Sequence, residues 1–343
     1  MARAIVWLLL AATAACTQAA ADNATLTAID GLLVGHHTLA ERPTGCTVIL
    51  ADGPVVAGVA QRGSAPGTRE TDLLEPVNAV DRIDAVVLSG GSAFGLDVAN
   101  GVMHWIDERH GRWSRRPTDV PTVPAAVLID LWVGGKPSIR PGADCGYRAA
   151  TAATRAPAAE GSIGAGAGAT VGKLTGLDRA MKGGIGSAAV TLPDGLRVAA
   201  LVAVNALGDV IDPATGAVVA GARAEDGSLR DARKLLRSGA MLQRTRVAEN
   251  TTLAVVATNA RLTKPEANRV ALMADAGIAR AVTPAHTTAD GDTVFALATA
   301  RWNGRVDVTV IGALAADVLA EAIVRAVKQA APVAGIPSAR DLQ

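Results

Sequence analysis

Aromatic side chains are nearly missing from this sequence: its 343 residues hold Trp 5, Tyr 1 and Phe 2, which is 2% of the chain. Charge of one sign is missing too, because Lys+Arg 33 against Asp+Glu 32 leaves a formal net charge of +1. Without a basic face or stacking platforms, nucleic-acid binding is excluded as a function class. Cysteine is scarce, and Cys 3 in so long a chain is no disulfide scaffold. Beyond Ala21 no run is long and apolar enough to span a bilayer. What is present in quantity is apolar and small: 50% of residues are hydrophobic and glycine numbers 36, which excludes a disordered chain. Val, Leu, Ile and Ala must therefore fill the core. The many small residues reflect either close packing of backbones or a GC-rich coding bias. Length allows one large domain or two modest ones.

Residues 1–21 read as a signal peptide. Arg3 supplies the positive start, Ala4 to Ala15 the apolar run, and Ala19-Ala20-Ala21 an A-x-A cleavage site before Asp22. A lipid anchor on Cys16 is the competing reading, although Thr13 stands where such sites place a branched aliphatic. The mature protein is expected to be exported, periplasmic or extracellular. Cys46 and Cys145 are expected to be two buried, isolated thiols.

Short apolar runs alternate with turn signals. The strand pattern marks 32–34, 47–50, 55–59, 85–88, 125–129, 188–192, 197–204, 252–257, 293–298 and 306–311. Helices are expected over 93–108, 144–153, 264–276 and 314–329. The third carries a capping box in Thr263 and Glu266, with Pro265 in its first turn and Gly277 placed to close it. Mixed elements throughout make this an α/β chain. From Ala222 to Asn250 the sequence is dense in charge, including Arg244, Arg246 and Glu249, and reads as a solvated helix and loop.

Familiar catalytic motifs fail on inspection. Gly90-Gly91-Ser92-Ala93-Phe94-Gly95 resembles a nucleophile elbow, but its closing glycine comes one place late. It reads instead as a helix N-terminus. None of the five histidines pairs with an acid in any order that makes a serine triad. Gly164 to Ala169 approximates a dinucleotide fingerprint without the acid a ribose needs, and reads as close backbone packing. There is no Walker loop and no metal-ligand spacing, so no cofactor is expected.

What remains is Asn250-Thr251 together with Asp290-Gly291-Asp292. A charged linker precedes Thr251 and a strand-like run follows it. Cleavage before Thr251 would place its hydroxyl and a free α-amine on one residue. That amine has a reference pKa of about 7.7–8.0 and can serve as the general base.

Blocks along nearly the whole mature chain resemble the DmpA-type N-terminal-nucleophile peptidases, which include β-peptidyl aminopeptidases, L-aminopeptidase/D-esterases and nylon-oligomer hydrolases. The blocks are TGCTVIL (44–50), LSGGSAFGL (88–96), VPTVPAAVLIDL (120–131), IGAGAGATVGKL (163–174), MKGGIGSAA (181–189), LVAVNALGDVIDPATG (201–216), TTLAVVATNARLTKPEAN (251–268) and DGDTVFALAT (290–299).

The resemblance implies an αββα sandwich of the DmpA type, autoprocessed between Asn250 and Thr251. The larger chain would be 22–250 and the smaller 251–343, the two staying associated. It implies Thr251 as nucleophile, with Asp290 and Asp292 orienting it. Lys173 would stand near the amine, Asn205 near the reacting carbonyl, and Tyr147 would be an oxyanion donor. Read as residues alone, Asp290 and Asp292 also suit a turn, Asn205 a strand end, and Tyr147 a helix-face core position. Lys182 competes with Lys173 for the lysine role. Threonine rather than serine as nucleophile points toward the nylon-oligomer endohydrolases.

The expected activity is hydrolysis of unusual amides: nylon-like 6-aminohexanoate oligomers, β-peptides or D-residue amides. An exported aminopeptidase or acyltransferase on peptides, or a non-catalytic binding protein on the same fold, is the alternative. The expected partner is a small amide or oligoamide, and the resemblance implies a homo-oligomer, specifically a tetramer. The stretch 132–140 (WVGGKPSIR) is individual to this chain and is a candidate for shaping the pocket.

Overall fold

The computed structural model describes residues 23–109, 119–239 and 250–342. The expected signal segment with Cys16, and Arg244, Arg246 and Glu249 of the charged stretch, lie outside the described residues.

A nine-stranded mixed sheet organises the chain. Its members are β1 (Leu32–Thr38), β2 (Gly45–Gln61), β3 (Gly67–Arg69), β4 (Arg82–Ser89), β5 (Ala125–Val127), β8 (Gly184–Thr191), β9 (Arg197–Asn205), β12 (Thr251–Thr258) and β14 (Thr293–Ala298). The order is β3-β5-β4-β2-β14-β12-β9-β8, with β1 beside β2. Strands β6 (Thr170–Val171) and β7 (Met181–Lys182) form a small ladder, and β10 (Asp209–Ile211), β11 (Val218–Ala220) and β13 (Val282–Thr283) another. The helices are α1 (Val98–Asp107), α2 (Ala143–Thr151), α3 (Ala232–Arg237), α4 (Lys264–Ala274), α5 (Ala276–Ala281) and α6 (Val308–Gln329).

Strand β2 joins the two halves of the sheet. Its first part pairs with β1 and β4, and its last part, Val56 to Gln61, pairs with β14. The separate runs expected at 47–50 and 55–59 are thus one strand, whose register with β4 shifts between Leu50 and Val55. Alternation sends side chains of β12 to two different cores. Leu253, Val255 and Ala257 join Phe295, Leu201 and Ile49 in a cluster among the strands. Ala254 and Val256 join Val202, Val294 and the apolar faces of α4, α5 and α6. A third cluster holds Val48, Leu50 and Val87 against α1 and α2.

Small residues serve close approach here. A Cβ on Gly186 of β8 would lie 2.0 Å from the Ala322 carbonyl of α6, and one on Gly101 of α1 would lie 1.7 Å from the Ala143 carbonyl of α2. Those contacts leave no room for a side chain at either glycine.

Three expectations are corrected. Cys46 and Cys145 form a disulfide, with their Cα atoms 6.3 Å apart. Burial was read correctly for both, but stacking of α2 on β2 across 99 residues carries no sequence signal. The apolar stretch 306–311 is not a strand: the Asp307 carboxylate accepts from the Thr309 and Val310 amides and starts α6 there. Gly277 does not end the third expected helix. That helix stops at Asp275, and Gly277 sits in α5 so that α6 can pass close by. Its expected capping box is present, with Thr263 and Glu266 bonding reciprocally.

Candidate active site

Strand β12 is buried along its whole length, and its first residue is Thr251. An apolar run flanked on both sides by paired strands, β9 antiparallel and β14 parallel, fixes that residue's place. Asn205, the last residue of β9, is the register partner of Thr251. Asn250 bridges Asp290 just before β14. The sheet thus brings three separate sequence blocks to one end of its central strands.

The Asn250–Thr251 peptide is held from two sides. The Thr251 hydroxyl donates to the carbonyl oxygen of Asn250, and the Gly291 amide donates to the same oxygen at 2.9 Å. A Cβ on Gly291 would lie 2.6 Å from the Ala65 carbonyl and 3.0 Å from Thr251 Oγ1, so this position admits only glycine without displacement. The flanking aspartates diverge. Asp292 accepts from the Thr252 amide through Oδ1 at 2.7 Å, one residue beyond Thr251. Asp290 accepts from the Leu207 amide at 3.4 Å and from the amide and hydroxyl of Thr287. Burial, followed by the charge of Asp292, pushes the Asp290 carboxyl above its usual range, against the opposing hydrogen bonds from Thr287 and Leu207.

Lys173 Nζ donates to both the backbone carbonyl and the side-chain Oδ1 of Asn205, each at 3.0 Å. The Asn205 Oδ1 also accepts from the Thr170 amide at 3.0 Å, while its Nδ2 donates to the Ile129 carbonyl at 3.1 Å. Lys182 lies elsewhere: its ammonium donates to the carbonyls of Gly166, Ala167 and Ala169, and burial pulls it down to about 7 despite the charge of Asp130. It ties down the glycine-rich segment, the close packing that the sequence suggested. Of the two lysines, Lys173 is the one bonded to the register partner of Thr251.

Tyr147 is not brought to this cluster. It lies on α2, with its hydroxyl donating to Glu108 at 2.8 Å and its ring 5.7 Å from that of His104. Gly90 to Gly95 form a tight turn at the start of a short 3-10 helix. Its donors are satisfied internally, Gly91 N–H by Asp130 Oδ1 and Ser92 N–H by the Leu128 carbonyl. Trp132, Val133 and Gly134 of the individual stretch line a cavity of about 280 Å³ with Leu177, Arg223 and Ile336. The loops bearing Trp132 and Leu177 begin beside Ile129 and Lys173.

Sequence reading missed two contributors. One is the Gly291 amide, a backbone donor that every residue except proline carries. The other is His286, which lies between Asp275 and Asp292. The glycine stood out between its two acids without its amide being read as a donor, and His286 has no spacing signal.

Comparison with solved structures identifies the fold class. A β-aminopeptidase from Burkholderia sp. superposes with a TM-score of 0.67 at 21% identity, covering 92% of this chain and 90% of that one. The L-aminopeptidase D-Ala-esterase/amidase of Ochrobactrum anthropi, described as a variant of the Ntn hydrolase fold, gives 0.67 at 20% identity over 90% and 86%. The protein therefore has the fold of the Ntn-hydrolase aminopeptidases. More particularly, it belongs to peptidase family S58, the DmpA family, which it matches over residues 24–340. An uncharacterised aminopeptidase of Mycobacterium bovis is 41% identical, over 92% of this chain and 97% of its own length. A 6-aminohexanoate-oligomer endohydrolase of Kocuria sp. is 30% identical, over 87% and 84%.

Proposed function

We propose that this chain is a self-cleaving N-terminal-nucleophile amide hydrolase with Thr251 as nucleophile. The observation that carries the reading is the Asn250 carbonyl, held between the Thr251 hydroxyl and the Gly291 amide. In the first reaction Thr251 Oγ attacks the Asn250 carbonyl carbon, and the oxygen gathers negative charge against Gly291 N–H. The C–N bond breaks, and the leaving amine takes the proton given up by the hydroxyl. Water then hydrolyses the ester, leaving a carboxylate on Asn250 and a free amine and hydroxyl on Thr251.

The same amine next acts as base for attack on a substrate amide. Asp292 orients the start of β12 through the Thr252 amide. Lys173 and Asn205 stand at the cross-strand position, where a cation and an amide donor oppose developing negative charge. Before the cut there is no base, so the precursor is inactive. One apolar cluster among the strands, and two on the opposite face packed against helices, support an αββα sandwich whose two fragments, 22–250 and 251–343, stay associated.

The substrate is an unusual amide. The 6-aminohexanoate-oligomer endohydrolase relative and the threonine at position 251 favour short nylon-like oligomers. The β-aminopeptidase and the L-aminopeptidase D-Ala-esterase/amidase of the same fold favour β-peptides or D-residue amides as the second reading. Export is supported by the Cys46–Cys145 bridge, which persists in oxidising compartments.

Denaturing electrophoresis with N-terminal sequencing tests the reaction. Two bands, the smaller beginning at Thr251, are expected, with one band for Thr251→Ala. An uncut wild-type chain rejects the reading. β-Alanyl, D-alanyl and 6-aminohexanoate amides, assayed on the cut protein, then rank the substrates.

A further inference from the structure

Histidine 286 stands apart from every motif in the sequence, yet it touches two buried acids. Its Nε2 lies 3.2 Å from Asp275 Oδ2 and its Nδ1 lies 3.0 Å from Asp292 Oδ2. Its backbone amide donates to that same Asp292 oxygen at 3.1 Å. The residue holds a left-handed backbone, φ 53°, which is uncommon outside glycine and locates a constraint worth a functional reading. Asp292 turns its other oxygen, Oδ1, to the Thr252 amide at the head of β12. The chain of contacts therefore runs Asp275, His286, Asp292, Thr252, and ends one residue from the proposed nucleophile.

We propose that His286, backed by Asp275, is a positioning residue: its imidazolium clamps Asp292 Oδ2 so that Oδ1 fixes the strand end bearing Thr251. The inference rests on the reading of Thr251 given above. Two carboxyl groups meet here, Asp275 from the junction of α4 and α5 and Asp292 from the loop before β14. His286 is the cation set between them. Its close contacts with the carboxylates of Asp275 and then Asp292 raise it to about 10 against the opposing effect of burial, so it carries its proton throughout the neutral range.

His286→Gln tests the clamp. Self-cleavage, and kcat of whatever cut protein forms, should fall on the order of 10–100-fold, since a small misplacement of a reacting group has that cost. KM should stay unchanged. Asp275→Asn, which keeps the contact with Asp292, should give a smaller loss in the same direction, and serves if His286→Gln does not fold.

The pH dependence separates a clamp from mere packing. A histidine raised from 6.5 to about 10 contributes its full stabilisation below 6.5 and loses it as pH rises toward 10. In the Thr251→Ala background, where no chemistry intervenes, the Tm lead over the Thr251→Ala/His286→Gln double variant should shrink across that interval. A wild-type rate of cutting and turnover in His286→Gln, or a Tm lead flat with pH, overturns the proposal while leaving Thr251 in place. An uncut wild type rejects the reading beneath it instead.

Discussion

Two buried polar clusters, linked through the Ile129 carbonyl and Asn205, are built on opposite principles. Around Arg42 and Asp130, both wholly buried, every group meets a complement. Arg42 Nε donates to the Ile139 carbonyl, Nη1 to the Asp130 and Val133 carbonyls, and Nη2 to Asp130 Oδ1. Asp130 also accepts from the Gly91 amide and the Thr44 hydroxyl. Around Asn250–Thr251 the complement is incomplete. Asn250 Oδ1, Thr252 Oγ1 and Asp275 Oδ1 are buried without a hydrogen-bond partner, and His286 Nδ1 makes an ion contact with Asp292 in place of an aligned hydrogen bond. Asp290 is pushed toward its neutral form.

A satisfied network fixes a shape. An unsatisfied one keeps groups available for reaction, and the rest of the fold must stabilise it. The first also serves the second, since the loop that Arg42 and Asp130 secure presents the Ile129 carbonyl to Asn205.

The sharpest way to break the contrast is at Thr251. Thr251→Ala should abolish self-cleavage and reduce amide hydrolysis by about 10³-fold or more, with little change in Tm. Thr251→Ser should still cut, read as two bands on a gel. Next in size, Asn205→Ala should lower kcat on the order of 10²–10³-fold, the scale of a lost transition-state donor, measured on protein that has been cut. On the satisfied side the expectation reverses. Arg42→Met should cost about 3–5 kcal/mol in urea unfolding, because Asp130 is left as an unpaired buried charge. The folded fraction of that variant should still cut at Thr251.

The smallest effect belongs to His36, which burial lowers to about 4 from 6.5. A lowered histidine is neutral in the fold, so stability should decline as pH falls from 6.5 toward 4. His36→Gln should flatten that decline in a Tm series.

Only the Thr251 side of this contrast was legible in the sequence, for physical reasons. The strand-like run 252–257 follows a charged stretch, and that boundary is what marks Thr251. Asp290-Gly291-Asp292 stands out as acids around a glycine, and the capping box of α4 reads directly from Thr263 and Glu266. Lys173 and Asn205 came from resemblance to a family, and the structure sets them in contact. What was hidden depends on tertiary placement. His286 pairs with acids 11 residues before and 6 residues after it, on no common helix or strand face. The disulfide spans 99 residues. Tyr147 is drawn to Glu108 because α1 and α2 pack closely, which a helix-face pattern cannot distinguish from a site position. The apolar stretch 306–311 is too short for periodicity to tell strand from helix, and Asp307 decides it.

Strand β12 stands between β9 and β14, and β14 in turn stands against β2, so the segment that begins at Thr251 is threaded through the middle of the sheet made by the residues before it. The same pairings bring the Asn250 carbonyl to the Gly291 amide. If the chain cuts itself as proposed, the cut is a covalent record of correct folding, and the ratio of severed to intact chain in a preparation would count the molecules that once reached the native state, including those that have since lost it.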